Sequence, residues 1–215
     1  MRTLWTAALV FTVATGEGTS QSAIPLFPLP DVSLFPNTSQ PFNIFEPRYR
    51  EMVADALAGD SIIGLVMLEP GFEADYEGRP PVAAIGTVGV IVGSELLPDG
   101  RYNLFLRGVS KFRIVEEDQS RAYRLARVEL IPESVASGNR PLLTQRRREI
   151  EAAVQSLFPG ARLPPASFSD EQAIDALALG LPFEPRTRQG LLEAAGPVER
   201  AAALLRLLRP QARAQ

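Results

Sequence analysis

The chain has no histidine and no cysteine among its 215 residues. That excludes Ser-His-Asp and Cys-His nucleophiles. It also excludes zinc sites built on thiolate or imidazole, and disulfides. A chain without cysteine suits reducing and oxidising compartments alike. Lysine is nearly absent as well. Lys111 is the only one, so Schiff-base, phosphate-loop or Ser-Lys chemistry would rest on that single amine. Ser110 precedes it, but adjacent side chains on a strand point to opposite faces, so the two form no dyad there. No G-x-x-x-x-G-K-[ST] phosphate loop occurs, and no G-x-S-x-G nucleophile elbow.

Positive charge is in slight deficit. Lys and Arg number 22 against 25 Asp and Glu, for a net charge of -3 and a pI near 5.2. Such a chain has no general attraction to phosphate backbones, so no nucleic-acid partner is expected. The basic run "QRRRE" (145–149) carries no interleaved aromatics and lies beside Glu149 and Glu151, so it reads as a solvated helix face. The apolar fraction of 46% is ordinary for a globular protein of one or two domains.

No apolar run reaches the roughly 20 residues that a spanning helix needs. The first 23 residues place Arg2 before an apolar stretch from Leu4 to about Ala14, then small and polar residues. This is the layout of a secretory signal peptide or, failing that, of a disordered extension. The first reading favours an exported or periplasmic protein and the second a cytoplasmic one. No stable membrane insertion of the mature chain is expected.

From Ile24 to about Ile131 the chain reads as short strands separated by turns. "IPLFPLP" (24–30) holds Pro25 and Pro28, which predicts an edge strand or an extended lead-in. "PFNIF" (41–45) and "SIIGLVML" (61–68) read as strands. "VAAIGTVGVIV" (82–92) is a strand whose Gly86 and Gly89 predict bulges or bends. "PDG" (98–100) is a turn. "RYNLFLRG" (101–108), "KFRIVEE" (111–117) and "AYRLARVELI" (122–131) complete the set. In the last, Tyr123 and Leu125 predict an apolar face, and Arg124 and Arg127 a basic one. The spacing suggests a barrel or sandwich with one helix inserted.

That helix follows from "IFEPRYREMVADAL" (44–57). Pro47 suits a first helical turn and Glu46 a helix N-terminus. Tyr49, Met52, Val53, Ala56 and Leu57 recur at helical spacing and are expected to pack inward, with Gly59 as the stop. The cluster of charges is thereby a strand-to-helix joint and no catalytic site.

After Pro132 the character changes. Residues 134–141 are a linker by composition, and 142–210 a helical bundle. In 142–158, Leu143, Ile150, Val154, Leu157 and Phe158 share a face. Ser169 and Gln172 form a capping-box pattern ahead of Ile174, Leu177 and Leu181. Pro185 opens a further helix stopped by Gly196, and Pro197 opens one stopped by Pro210.

The loop "GFEADYEGRPP" (71–81) gathers Glu73, Asp75 and Glu77 ahead of Gly78. An EF-hand loop needs a bidentate acid at its twelfth position, here Ala84, and flanking helices in place of strands. The loop is read as solvated acid, and neither a metal site nor a cofactor is expected. Phe72 and Tyr76 within it are the candidate contact residues.

"IPLFPLP", "LFP", "IFEPRYREM", "IGTVGVI" (85–91) and "DGRYNLFLRGVSKFRI" (99–114) closely resemble, in order, the N-terminal domain of Lon proteases and the small stand-alone bacterial proteins built from it. The match covers roughly 24–133, and more weakly the helices beyond. The resemblance implies an α+β fold: a PUA-like mixed β-barrel with one inserted helix, then a C-terminal helical bundle. It implies a module that recognises unfolded or extended polypeptide, with no catalytic residues, because Lon proteolysis belongs to ATPase and Ser-Lys peptidase domains whose motifs are missing from these residues. Two alternatives are an adaptor for one unidentified folded protein and a carboxylate-dependent hydrolase using Glu73, Asp75 and Glu77.

Overall fold

The computed structural model describes residues 23–72 and 78–209. The strands and the first helix are β1 (Ile24–Leu29), β2 (Ser39–Ile44), α1 (Pro47–Ala58), β3 (Ile62–Met67), β4 (Ile85–Leu96), β5 (Tyr102–Asp118) and β6 (Arg124–Ile131). A 3-10 turn at Ser137–Asn139 leads into α2 (Arg140–Leu157), α3 (Asp170–Gly180), α4 (Pro185–Glu193) and α5 (Pro197–Leu208). The N-terminal segment read as a leader, residues 1–22, lies outside the described residues.

The 6-stranded sheet runs β2-β5-β4-β3-β1-β6, and β6 returns to pair with β5. The ring β5-β4-β3-β1-β6 is therefore closed, which removes its edges. Closure depends on the length of β5. Its first half pairs with β2 through Tyr102–Arg107, and its second half with β6 through Lys111–Asp118. The two strands expected at 101–108 and 111–117 are thus one.

β1 is a correction. It is not an edge strand but lies between β3, parallel, and β6, antiparallel. The prolines are tolerated because the two ladders are offset. Pairing with β6 spans Ile24–Leu26 and pairing with β3 spans Leu26–Leu29, so Pro25 and Pro28 each border one partner only. Leu26 and Phe27 then bury opposite faces. Leu26 packs with Phe112, whereas Phe27 meets the Tyr49 ring of α1 at 4.8 Å.

Gly86 and Gly89 of β4 both make room for a neighbouring group. Gly89 is not the expected bulge: between Val88↔Ser110 and Gly89↔Gly108 the extra residue is Val109 of β5, and Gly89 instead admits the Leu106 side chain, which a Cβ there would strike. Gly86 has no bulge. A Cβ there would stand 2.5 Å from the Leu65 carbonyl oxygen and 2.6 Å from the Phe112 ring. Its role is close approach of strand to core. At the next turn, Gly100 adopts φ +83° and donates its N–H to the Leu97 carbonyl, closing the β4–β5 hairpin.

In α1, Tyr49, Met52, Val53 and Ala56 are buried as expected, but Leu57 is half-exposed. The apolar stripe is one residue narrower than the spacing suggested. In α2 the same happens at the C-terminal end: Leu143, Ile150 and Val154 are buried, while Leu157 and Phe158 are exposed. The capping box of α3 is formed in both directions, with the Ser169 hydroxyl accepting from the Gln172 N–H and the Gln172 side chain accepting from the Ser169 N–H. α4 stops at Glu193, and Gly196 serves as the N-cap of α5. The run 145–149 is only partly a solvated face. Arg147 pairs with Glu151 and Asp170, and Arg146 donates to the Val198 carbonyl, so two of its arginines tie helices together.

The helices seat on the ring through Phe35, which joins the helical core with Leu143, Ile174 and Leu204. Beside it lies a buried ionic clasp. Arg200 of α5 forks to Asp175 of α3 (2.6 Å) and Glu133 (2.7 Å), and Lys111 of β5 reaches Glu133 at 2.9 Å. Asn37 donates to the second Asp175 oxygen, and Lys111 also donates to the Ala194 carbonyl. The only lysine is thereby consumed in structure.

Candidate functional site

β2 is the one strand outside the ring, and β5 is its only strand partner among the described residues. Its backbone orientation follows from the flanking bond in which Gly108 donates to the Thr38 carbonyl. Antiparallel pairs alternate between bonded and non-bonded. Gln40, Phe42 and Ile44 therefore turn their backbone groups toward β5, and Ser39, Pro41 and Asn43 turn theirs to the open side. Pro41 lies where its missing N–H interrupts no ladder, a usual place for proline on an edge.

The outer face beside that edge is organised in rows across the strands. Pro41, Phe105 and Gly93 are opposite one another on β2, β5 and β4. Gly93 leaves room for the Phe105 ring, whose edge comes to 4.0 Å from where a Cβ would stand. Phe105 is 55% exposed, and Phe45, which continues the outward parity of β2, is 63% exposed. The next row is polar. The Asn43 amide donates to Asn103 (2.7 Å), and Asn103 donates to Glu95 (3.4 Å). Between the rows runs an open groove of about 640 Å³ lined by Phe42, Leu104 and Ser94, among others. An apolar row, an amide row and a free strand edge together suit an extended polypeptide.

Of the sequence-predicted contact residues, Phe72 is described and Tyr76 is not. Phe72 is 44% exposed in the loop after β3, next to Gly71 at φ +92°. Tyr76, Glu73, Asp75 and Glu77 lie outside the described residues. The structure does not bring Phe72 into the β2 groove. Phe45 and Phe105 went unnoticed in the sequence, although the outward alternation of 101–108 already set Phe105 apart from Leu104 and Leu106. The predicted basic face of β6 is split. Arg127 is exposed and pairs with Glu116, while Arg124 shares the buried parity of Ala126 and Val128 and pairs with Glu117.

Two titrations are displaced by these surroundings. Burial, followed by its bond to Asp55, pushes the Tyr123 phenol up to about 12. Burial raises the Asp175 carboxyl to about 6, against the opposing pull of Arg200. Neither group lines the β2 groove, and the clasp that holds Asp175 fills the interior of the barrel–bundle junction. No helix among the described residues is long and apolar enough to cross a membrane.

Residues 23–209 match the model of the ATP-dependent protease La (LON) substrate-binding domain. The chain belongs to the Lon substrate-binding domain family. Among solved structures, this Lon domain is similar to a Lon N-terminal domain protein from Xanthomonas campestris. That likeness has 25% identity and a TM-score of 0.58, over 86% of this chain and 98% of the other. The N-terminal domain of the Mycobacterium avium complex Lon protease shares the fold, with a TM-score of 0.64 at 17% identity over 86% of this chain and 97% of that one. Among whole proteases, that of Trichlorobacter lovleyi is 30% identical over 87% of this chain, and that of Cytophaga hutchinsonii 26% over 87%. The chain spans only 24% of the length of each. The α+β architecture expected from the motifs, a closed mixed barrel with α1 inserted and helices after it, is the architecture observed.

Proposed function

We propose that this Lon domain is a non-catalytic module that holds unfolded or extended polypeptide. The observation that carries the reading is the open β2 edge flanked by the exposed rings of Phe45 and Phe105. Main-chain bonds to the edge would give affinity without sequence demands, and burial of Phe45 and Phe105 would add apolar contact. Membership of a substrate-binding family supports it. Phe72, exposed after β3, and Tyr76 belong to the same proposal as further contacts. The residues 24–133 form the binding part and 142–210 its support.

The test is fluorescence anisotropy of a labelled, permanently unfolded polypeptide against the purified chain. Binding at roughly tens of micromolar or tighter is expected. Phe105→Ser should weaken it about tenfold with no loss of fold, because an exposed ring contributes little to stability. Absence of binding at those concentrations would sink the reading.

A further inference from the structure

The open edge of β2 borders rows that differ in charge. Ser39, Arg107 and Val90 stand opposite one another on β2, β5 and β4, one row along from Pro41, Phe105 and Gly93. Arg107 shares the outward parity of Phe105 and is exposed. Neither row contains a carboxylate, and among the described residues no hydrogen bond or ion pair engages the Arg107 guanidinium. On the other side of the apolar row lie the amides of Asn43 and Asn103, with Glu95 at the end of their row. Along β2 the outer face thus reads cation, ring, then amide and acid.

Pro41 decides what can lie on the edge. Its carbonyl turns to the open side, and it has no N–H to offer there. A second copy of this chain, paired antiparallel about Pro41, would set two such carbonyls against each other with no donor between them, so the proline works against self-pairing. A polypeptide of another sequence donates an N–H to that carbonyl and loses one bond only. Antiparallel addition is the slightly more stable kind. It sets one residue of the polypeptide opposite Pro41, where a ring can reach across the proline to Phe105. The residue two positions toward its C-terminus then lies opposite Ser39. Arg107 is two strand spacings from that point, about 10 Å, a gap that an arginine and a glutamate side chain close between them. The residue two positions toward the N-terminus meets the amide row, where Glu95 disfavours a second acid.

We propose that the β2 edge selects extended segments in which an aromatic residue is followed, two positions later, by an acidic one. Phe105 takes the ring and Arg107 the carboxylate. The inference rests on the reading of this edge as the polypeptide site and names the side-chain pattern that it prefers.

The experiment measures fluorescence anisotropy of labelled, otherwise uncharged peptides against the full chain. One carries Phe-Thr-Glu, a second Phe-Thr-Lys and a third the reversed Glu-Thr-Phe. A fourth carries Phe-Glu-Thr, which turns the acid to the opposite face of the strand. Phe-Thr-Glu should bind about threefold to fivefold tighter than each of the others, the scale of an exposed ion pair. Arg107→Gln should abolish its advantage over Phe-Thr-Lys, and Arg107→Glu should invert it, both with the parent's thermal melt. Equal binding of the Glu and Lys peptides would overturn the proposal, and so would a preference unchanged in Arg107→Glu. Tighter binding of Glu-Thr-Phe would overturn it too, by marking parallel addition. If the unfolded polypeptide binds while the peptides tie or stay free, only this inference fails. If none of them binds, the broader reading fails with it.

Discussion

Arg200 of α5 and Asp175 of α3 meet at 2.6 Å with 0% and 1% of their side chains exposed. Each is the other's counter-charge in a place water does not reach. Removing one partner of a buried pair leaves an uncompensated charge, which costs about 3–5 kcal/mol. Arg200→Met leaves Asp175 with only the Asn37 amide, while Glu133 keeps Lys111, so the unfolding free energy from a urea titration should fall by that amount. Loss of under about 1 kcal/mol, the value of a surface pair, would contradict the account.

Asp175 also sets a pH dependence. Its carboxyl titrates near 6 in the folded chain, above the ordinary value of 3.8. The folded state thus holds this proton more tightly than the unfolded state does. The stabilisation from the bound proton is complete below about 3.8 and is lost as pH rises through about 6. Asp175→Asn removes this titration. Urea unfolding of both proteins from pH 4 to 7 should show the parent losing stability relative to the variant across that window. Parallel profiles would argue against burial as the dominant influence on Asp175.

Gly86 gives a steric prediction. Gly86→Ala brings a methyl into the Leu65 carbonyl and the Phe112 ring, neither of which yields freely. Overpacking of this kind costs about 1–3 kcal/mol. Gly138→Ala, with nothing within 4 Å of its Cβ, is the matched control and should be near neutral in a thermal melt.

The cap of α3 is a smaller and separable contribution. Ser169→Ala loses the acceptor for the Gln172 N–H and should cost about 0.5–2 kcal/mol. Ser169→Asp should restore most of it, which a chemical-denaturation series would reveal.

Much of the fold was legible in the sequence because local rules agreed with it. The joint at Glu46–Pro47, the Ser169 cap and the Pro-Asp-Gly turn were each readable from a few adjacent residues. What escaped were matters of partnership. Two prolines argued for an edge at β1, yet an offset between two ladders let the strand sit inside. Arg124 was expected on a basic face of β6, yet Glu117 and the Pro80 carbonyl hold it buried, and nothing in the sequence tied Lys111 to Glu133. The clasp draws on positions 37, 111, 133, 175 and 200, and no spacing rule connects residues so far apart. The candidate site was hidden for the same reason. Outward parity picks out Phe105, but only the strand order shows that β2 leaves an edge open beside it.

The unbroken run of β5 makes it a ruler as well as a wall. Phe105 beside the open edge and Lys111 in the clasp stand on one strand, six positions apart. At about 3.3 Å per residue their separation is roughly 20 Å. A polypeptide laid along β2 would therefore arrive at a set distance and heading from the helices, with no hinge between. Whatever the helices are attached to or lean upon would receive it in one fixed presentation.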